Sequence, residues 1–258
     1  MIIDSHTHIG FGNLLNASVS DLLISMKRAH IDKACVYAGV LNNCSTQRLL
    51  KELESYPDIL YPIGSFSPFT VTKYDIKNCE LLLKQKKIHG IKFYPGYEYF
   101  YPSDKKIRPL LKLLVQYNKP AIFHSGDTYN VAGGAKLKYA HPLHIDELAV
   151  EMPDLKIVIA HLGYPWIVDA AEVCYKNKNV YTDTSGFVYG IFYKEDAVMY
   201  KELLDTFVDI CSSWDKVLFG TDWPLPDQRS YVRVIRTLAG SHADDVMKKN
   251  IQKVYNIF

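Results

Sequence analysis

Short runs of β-branched and aromatic residues alternate along the chain with longer stretches whose apolar positions recur at helical spacing. The first run is "IIDSHTH" (2–8), followed by a helical stretch "VSDLLISMKRAH" (19–30) with Ser18 or Ser20 placed to cap it. "KACVYAG" (33–39) precedes a helix over about 45–55, and "LYPIGSF" (60–66), a strand weakened by Pro62, precedes "YDIKNCELLLKQKK" (74–87). "GIKFYP" (90–95) leads to the helix "KKIRPLLKLLVQYN" (105–118), and "PAIFHSG" (120–126) to a helix at about 142–151. "LKIVIAHLG" (155–163) has the clearest buried-strand pattern, with a helix over 165–176 after it. "NVYTDTSG" (179–186) and a helix over 195–211 follow. "KVLFGTDWP" (216–224) comes before the final helices "RSYVRVIRTLA" (229–239) and "ADDVMKKNIQKVYNIF" (243–258). Strand-helix alternation implies a parallel sheet with right-handed crossovers, and eight repeats in this length point to an α/β fold, a (β/α)8 TIM barrel spanning 1–258 as a single domain. An open doubly wound sheet is the rival, but no G-x-G-x-x-G turn follows the first strand.

Composition narrows the function. Of 258 residues 48% are hydrophobic and 22% charged, and the net charge of +2 comes from scattered Lys and Arg, unlike the basic stripe of a nucleic-acid binder. No apolar run approaches a membrane span, and without a basic n-region and long apolar h-region we expect no signal peptide. The five cysteines (Cys35, Cys44, Cys79, Cys174 and Cys211) are far apart and form no C-x-x-C, so buried reduced thiols in a cytoplasmic protein are expected.

In such a barrel the chemistry comes from the C-terminal strand ends. Here six of the eight predicted strands end in an ionisable residue or a histidine: His6 and His8, Lys92, His124, His161, Asp183 and Asp222. His6 and His8, two apart in a strand, point to the same face. Alone, H-x-H reads as two satisfied polar residues. With His124 and Asp222 at other strand ends it reads as a metal site, since imidazole and carboxylate suit zinc and other first-row divalent ions. Asp222, after a buried strand, is costly unless paired or bound to metal, and serves as ligand, as base, or both. His161 is assigned to proton transfer or substrate polarisation. Lys92 either faces a substrate carboxylate, forms an ion pair with a residue such as Asp4, or is carbamylated and bridges two metals.

At these residues the chain resembles the amidohydrolase superfamily. "DSHTHIG", "GIKFYP", "FHSGD", "HPLHIDELAVEMPDLKIVIAHLG", "VYTDTSG" and "FGTDWP" occur in the order of its amidohydrolase-2 branch of TIM-barrel metal-dependent hydrolases, which also holds aminocarboxymuconate-semialdehyde decarboxylase-like enzymes. The resemblance implies one divalent metal, usually zinc, on His6, His8, His124 and Asp222, with His161 assisting proton transfer. A second metal would need Lys92 carbamylated, as in the binuclear branches. TatD-type nucleases share H-x-H and a terminal TD-x-P but need a glutamate where this chain has Lys92, and the basic surface of a nuclease is missing.

The leading expectation is hydrolysis of an amide, lactone or ester bond in a small carboxylated substrate, with water activated by the metal, Asp222 taking its proton, and His161 aiding the oxyanion or leaving group. The alternative on the same residues is non-oxidative decarboxylation of a small aromatic or unsaturated acid. A metal-stabilised barrel that only binds a ligand is a third class. Substrate-binding candidates are Lys92, Tyr94, Tyr97, Asp127 and Trp166. The tyrosines of "YPGYEYFYPSDKK" (94–106) serve either as an aromatic pocket wall or as a homo-oligomer contact. "GDTYNVAGGAKLKYAHP" (126–142) is read as a flap carrying Asp127 and Lys136 towards the site, or as a plain surface loop. The expected partner is a small molecule, not nucleic acid or membrane.

Overall fold

The computed structural model describes residues 1–12, 15–39, 41–128 and 134–257. Eight parallel strands pair in chain order: β1 (Ile3–His8), β2 (Lys33–Tyr37), β3 (Leu60–Ser65), β4 (Ile91–Phe93), β5 (Ala121–Phe123), β6 (Ile157–Ile159), β7 (Val180–Asp183) and β8 (Val217–Leu218). A helix follows each of them: α1 (Val19–Ala29), α2 (Thr46–Leu53), α3 (Lys73–Lys84), α4 (Arg108–Gln116), α5 (His144–Glu151), α6 (Ile167–Lys176), α7 (Lys194–Cys211) and α8 (Gln228–Ala239). A terminal helix α9 (Asn250–Tyr255) ends the chain. The ring closes between β1 and the segment after β8, where Ser5 N–H reaches Phe219 O at 2.9 Å, Asp222 N–H reaches His6 O at 2.8 Å and His8 N–H reaches Trp223 O at 2.7 Å. The architecture is the expected (β/α)8 barrel.

Local chemistry explains the boundaries. Ser18 caps α1, its hydroxyl accepting from Asp21 N–H while the Asp21 carboxylate accepts from Ser18 N–H, a reciprocal capping box. Pro62 stays inside β3 because on the side facing β4 it supplies only its carbonyl, to His89 N–H at 2.8 Å. Within the barrel β5 and β6 bury every residue, as expected of strands covered on both faces, and each such aliphatic side chain contributes about 1.5–3 kcal/mol. All five cysteines are buried and unpaired. Among the described residues no helix is long and apolar enough to cross a membrane.

Several strands end short of the predicted stretches, and at β6, β7 and β8 side chains take over the ladder's hydrogen bonds. After Ile159 the chain turns sharply, with His161, Leu162 and Gly163 all at positive φ (63°, 52° and 68°). Beyond Leu218, Gly220 N–H bonds to Thr184 Oγ1 at 3.1 Å and Thr221 N–H to Asp4 Oδ1 at 3.0 Å. Asp222 itself has φ 69°. β7 stops at Asp183, whose carboxylate accepts Ser185 N–H at 3.1 Å. Each of these three ends falls where the polar cluster begins.

Candidate active site

His6, His8, Lys92, Tyr94, Tyr97, His124, Asp127, His161 and Asp222 all line one cavity of about 200 Å³ at the C-terminal mouth of the barrel. Between Asp4 and Thr7, an interval that contains His6, the pairing of β1 with β2 slips by one residue, a bulge that re-aims the strand at its histidines. The His6 and His8 rings lie 5.2 Å apart, and His6 is backed by a stacked Tyr37 ring at 4.3 Å.

Asp222 Oδ1 sits 3.0 Å from His8 Nε2 and 3.5 Å from His6 Nε2. The donor atoms of these three residues lie within 4.8 Å of one another. His6 Nε2 is buried without a hydrogen-bond partner, because its Nδ1 is turned to Asp183 Oδ2 at 2.8 Å. The donors around a tetrahedral zinc, each about 2.0–2.1 Å from it, stand about 3.3 Å apart, so this trio fits a first-row divalent ion. Its outer partners fit as well, since a ligating histidine commonly gives its other N–H to a carboxylate. His124 does not join the three-atom group. Its Nε2–H points to Asp127 O at 2.9 Å, which leaves Nδ1 as its acceptor nitrogen, and its ring is 5.1 Å from that of His161.

The electrostatics suit a cation. Burial, helped by the positive charge of Lys92, lowers the pKa of His6 to about 3, so its ring is neutral. Burial opposes ionisation of Asp222, but the His8 hydrogen bond and the surrounding imidazoles outweigh it and hold the carboxyl well below the usual range. Asp183, also buried, is likewise held low, its two oxygens accepting from His6, from His161 N–H at 3.0 Å and from Ser185. With His6 neutral, the His6–Asp183 contact is a charge-assisted hydrogen bond. Two carboxylates facing one lysine leave an excess of negative charge at the floor.

Lys92 is 1% exposed, and among the described residues its Nζ has no hydrogen-bond partner. It lies 5.4 Å from the Tyr37 ring and 5.6 Å from that of Tyr94, and burial lowers its pKa to about 8. The alternative pairing with Asp4 is not formed: Asp4 accepts from Thr221 Oγ1 at 2.6 Å, Thr221 N–H at 3.0 Å, Gln228 Nε2 at 2.9 Å and His6 N–H at 3.1 Å. Asp4 thus ties β1 to the closing segment. Tyr94 Oη donates to Ala38 O at 2.8 Å, an approach that glycine at position 39 permits, since a Cβ there would sit 2.0 Å from the phenol oxygen.

For Trp166 and Lys136 the structure favours the second of the two readings, in which neither reaches the cavity. Trp166 is not in the cavity wall; its ring packs against His141, with centroids 4.5 Å apart, where it begins α6. Lys136 lies over the Tyr99 ring at 4.1 Å instead of reaching inward. Part of the expected flap, 129–133, lies outside the described residues. The tyrosine-rich stretch divides: Tyr94 and Tyr97 face the cavity, whereas Tyr101 packs on Tyr139 and His144 at 4.8 and 4.6 Å. Sequence reasoning missed Tyr164, Phe187 and Tyr189, which add aromatic wall, and it listed Asp183 only as a polar strand end. The signal for Asp183 was the polar run "TDTSG" directly after an apolar strand.

A family model described as "Amidohydrolase" matches residues 77–257. No curated protein matches the chain. Among solved structures, a probable 2-pyrone-4,6-dicarboxylic acid hydrolase from Acinetobacter baumannii with citric acid bound is 15% identical, with 99% of each chain covered and a TM-score of 0.73. A mutant 5-carboxyvanillate decarboxylase from Novosphingobium aromaticivorans, with bound manganese and 3-methoxy-4-hydroxy-5-nitrobenzoic acid, is 12% identical over 100% of this chain and 97% of its own, TM-score 0.73. An amidohydrolase from Burkholderia multivorans with bound zinc is 14% identical over 100% of both chains, TM-score 0.73. At these identities the likeness is one of fold.

Proposed function

The chain belongs to the amidohydrolase family, and on that premise we propose that it is a metal-dependent hydrolase that cleaves an amide, lactone or ester bond in a small carboxylated substrate. The observation that carries this reading is the convergence of His6 Nε2, His8 Nε2 and Asp222 Oδ1 on the cavity floor, with His6 Nε2 buried and unpartnered. His6, His8 and Asp222 would hold one divalent cation, for which the imidazole–carboxylate set suits zinc, with His124 offering Nδ1 as a further donor. When bound, such an ion polarises a carbonyl and brings the pKa of water to about 7.

The remaining work falls to the chain's own groups. Ionised Asp222 is acceptor-only and takes a proton at a carboxylate oxygen. His161 lines the same wall and handles the second proton transfer. Lys92 Nζ, the cation of the described cavity wall, receives the substrate carboxylate; the undescribed residues include no Lys or Arg. Tyr97, Tyr164 and Phe187 enclose a planar body and exclude water, and the cavity size suits a single-ring molecule. Asp127, at the wall, accepts from a substrate hydroxyl or amine. The free buried cysteines suit a reducing compartment, so we place the enzyme in the cytoplasm.

Product analysis on a panel of lactones, amides and hydroxybenzoates tests the reaction. Ring opening or amide cleavage without gas evolution is expected. Release of CO2 without hydrolysis would overturn it in favour of a decarboxylase.

A further inference from the structure

Ser185 is buried, two residues after the end of β7, and its hydroxyl stands among three groups. Its Oγ lies 2.9 Å from His6 Nδ1, 2.9 Å from His161 Nδ1, and in a short contact with Asp183 Oδ1. A hydroxyl has one proton and two lone pairs, so the three contacts restrict one another.

The proton goes to Asp183. That carboxylate is ringed by donors: Oδ1 accepts His161 N–H at 3.0 Å and Ser185 N–H at 3.1 Å, and Oδ2 faces His6 Nδ1 at 2.8 Å. Two backbone N–H groups on Oδ1 leave that oxygen no proton of its own to give. The Ser185 oxygen therefore turns only lone pairs towards the imidazoles, and each ring must meet it with an N–H.

We propose that Ser185 is a positioning residue that holds His161 as its Nδ1–H tautomer, so that the bare Nε2 faces the cavity as an acceptor. The backbone supports the same placement. His161 sits at φ 63°, ψ 33° and is followed by Leu162 at φ 52°, a conformation unfavourable for non-glycine residues that persists only where the surroundings enforce it. Gly186, at φ 75°, leaves room for the ring: a Cβ there would lie 2.5 Å from His161 Nδ1. The hydroxyl thus sets the His161 ring, turning its Nε2 towards the substrate space, while the Nδ1–H of His6 is already committed to Asp183 Oδ2. His161 therefore enters any reaction as an acceptor, not as the initial donor to an oxyanion. The tautomer follows from geometry whichever bond is broken; only its use in hydrolysis rests on the function proposed above.

Nitrogen-15 NMR of the histidine side chains in metal-free full-length protein tests it without a substrate. In wild type, His161 is expected as a single Nδ1–H tautomer. In Ser185→Ala a substantial Nε2–H population appears, and Ser185→Thr, which keeps the hydroxyl, restores the Nδ1–H form. An Nε2–H tautomer in wild type, measured before any variant is made, overturns the proposal. So does an unchanged pure Nδ1–H signal in a folded Ser185→Ala. Failure of the hydrolytic reading in the product assay would leave these spectra unaffected.

Discussion

Lys92 and Lys119 are both buried, 1% and 6% exposed, and burial pulls both pKa values down to about 8. Lys119 stands just before β5, at the N-terminal end of the barrel. Its Nζ donates to Tyr255 O and Asn256 O, both at 3.0 Å, and lies 3.5 Å from His89 Nδ1. Lys92 is on β4 among the active-site groups and donates to no group among the described residues. Burial and pKa are alike, so neither separates a functional lysine from a structural one. The inventory of partners does. At one end of the barrel the ammonium ties down the chain's own terminal carbonyls; at the other it is left for something brought from outside. That division matches the general separation of stability and chemistry between the two faces of such barrels.

The largest effect should come from the floor of the cavity. Asp222→Asn is expected to lower kcat by about 10³-fold while leaving the thermal melt within a few degrees of wild type. Loss of folding in parallel with activity would erase the contrast between the two ends.

Lys92→Met and Lys119→Met test the comparison directly. The first should lower kcat/KM for a carboxylated substrate about 10²-fold and change stability by less than about 1 kcal/mol, because losing a buried ammonium that makes no hydrogen bond offsets losing its attraction to Asp183 and Asp222. The second should cost about 2–4 kcal/mol in urea unfolding, since two carbonyls lose a charged donor, with activity per folded molecule within about twofold. Equal stability losses in both variants would contradict the distinction.

A smaller, pH-dependent effect belongs to the structural end. Burial, with Lys119 beside it, lowers the pKa of His89 from 6.5 to about 3. The unfolded chain therefore binds a proton between those values that the folded chain refuses. Stability is nearly complete above pH 6.5 and declines as pH falls towards 3, by about 3 kcal/mol at pH 4.5. Denaturant midpoints for wild type and His89→Gln across this range check it: the variant should have a shallower slope. Least of all, Trp166→Ala should leave KM within about twofold, its ring being packed on His141 and not in the cavity wall.

The barrel was legible because alternation and helix caps are local: Ser18 with Asp21 is visible in the sequence, and so are the apolar triplets of β5 and β6. The strand ends were not, because Asp4, Thr184 and Asp183 satisfy backbone groups that a period-two pattern assigns to the ladder. His6, His8, His124, His161 and Asp222 stood out as polar residues after apolar runs, and the structure brings all five to one cavity. Ser185 did not, since a serine after a strand reads as a turn; only the fold shows two histidines and a carboxylate around its hydroxyl. Trp166 follows "HLGYP" and so reads as wall, yet the lining stops at Tyr164 and the Trp166 ring packs on His141.

The account stands most directly on the metal content of protein purified without added metal, compared between wild type and the His6→Ala/His8→Ala double variant. About one equivalent of a divalent metal is predicted in wild type and less than about a tenth in the variant. Full activity in wild type stripped of metal by a chelator, or an unchanged metal content in the double variant, would contradict it.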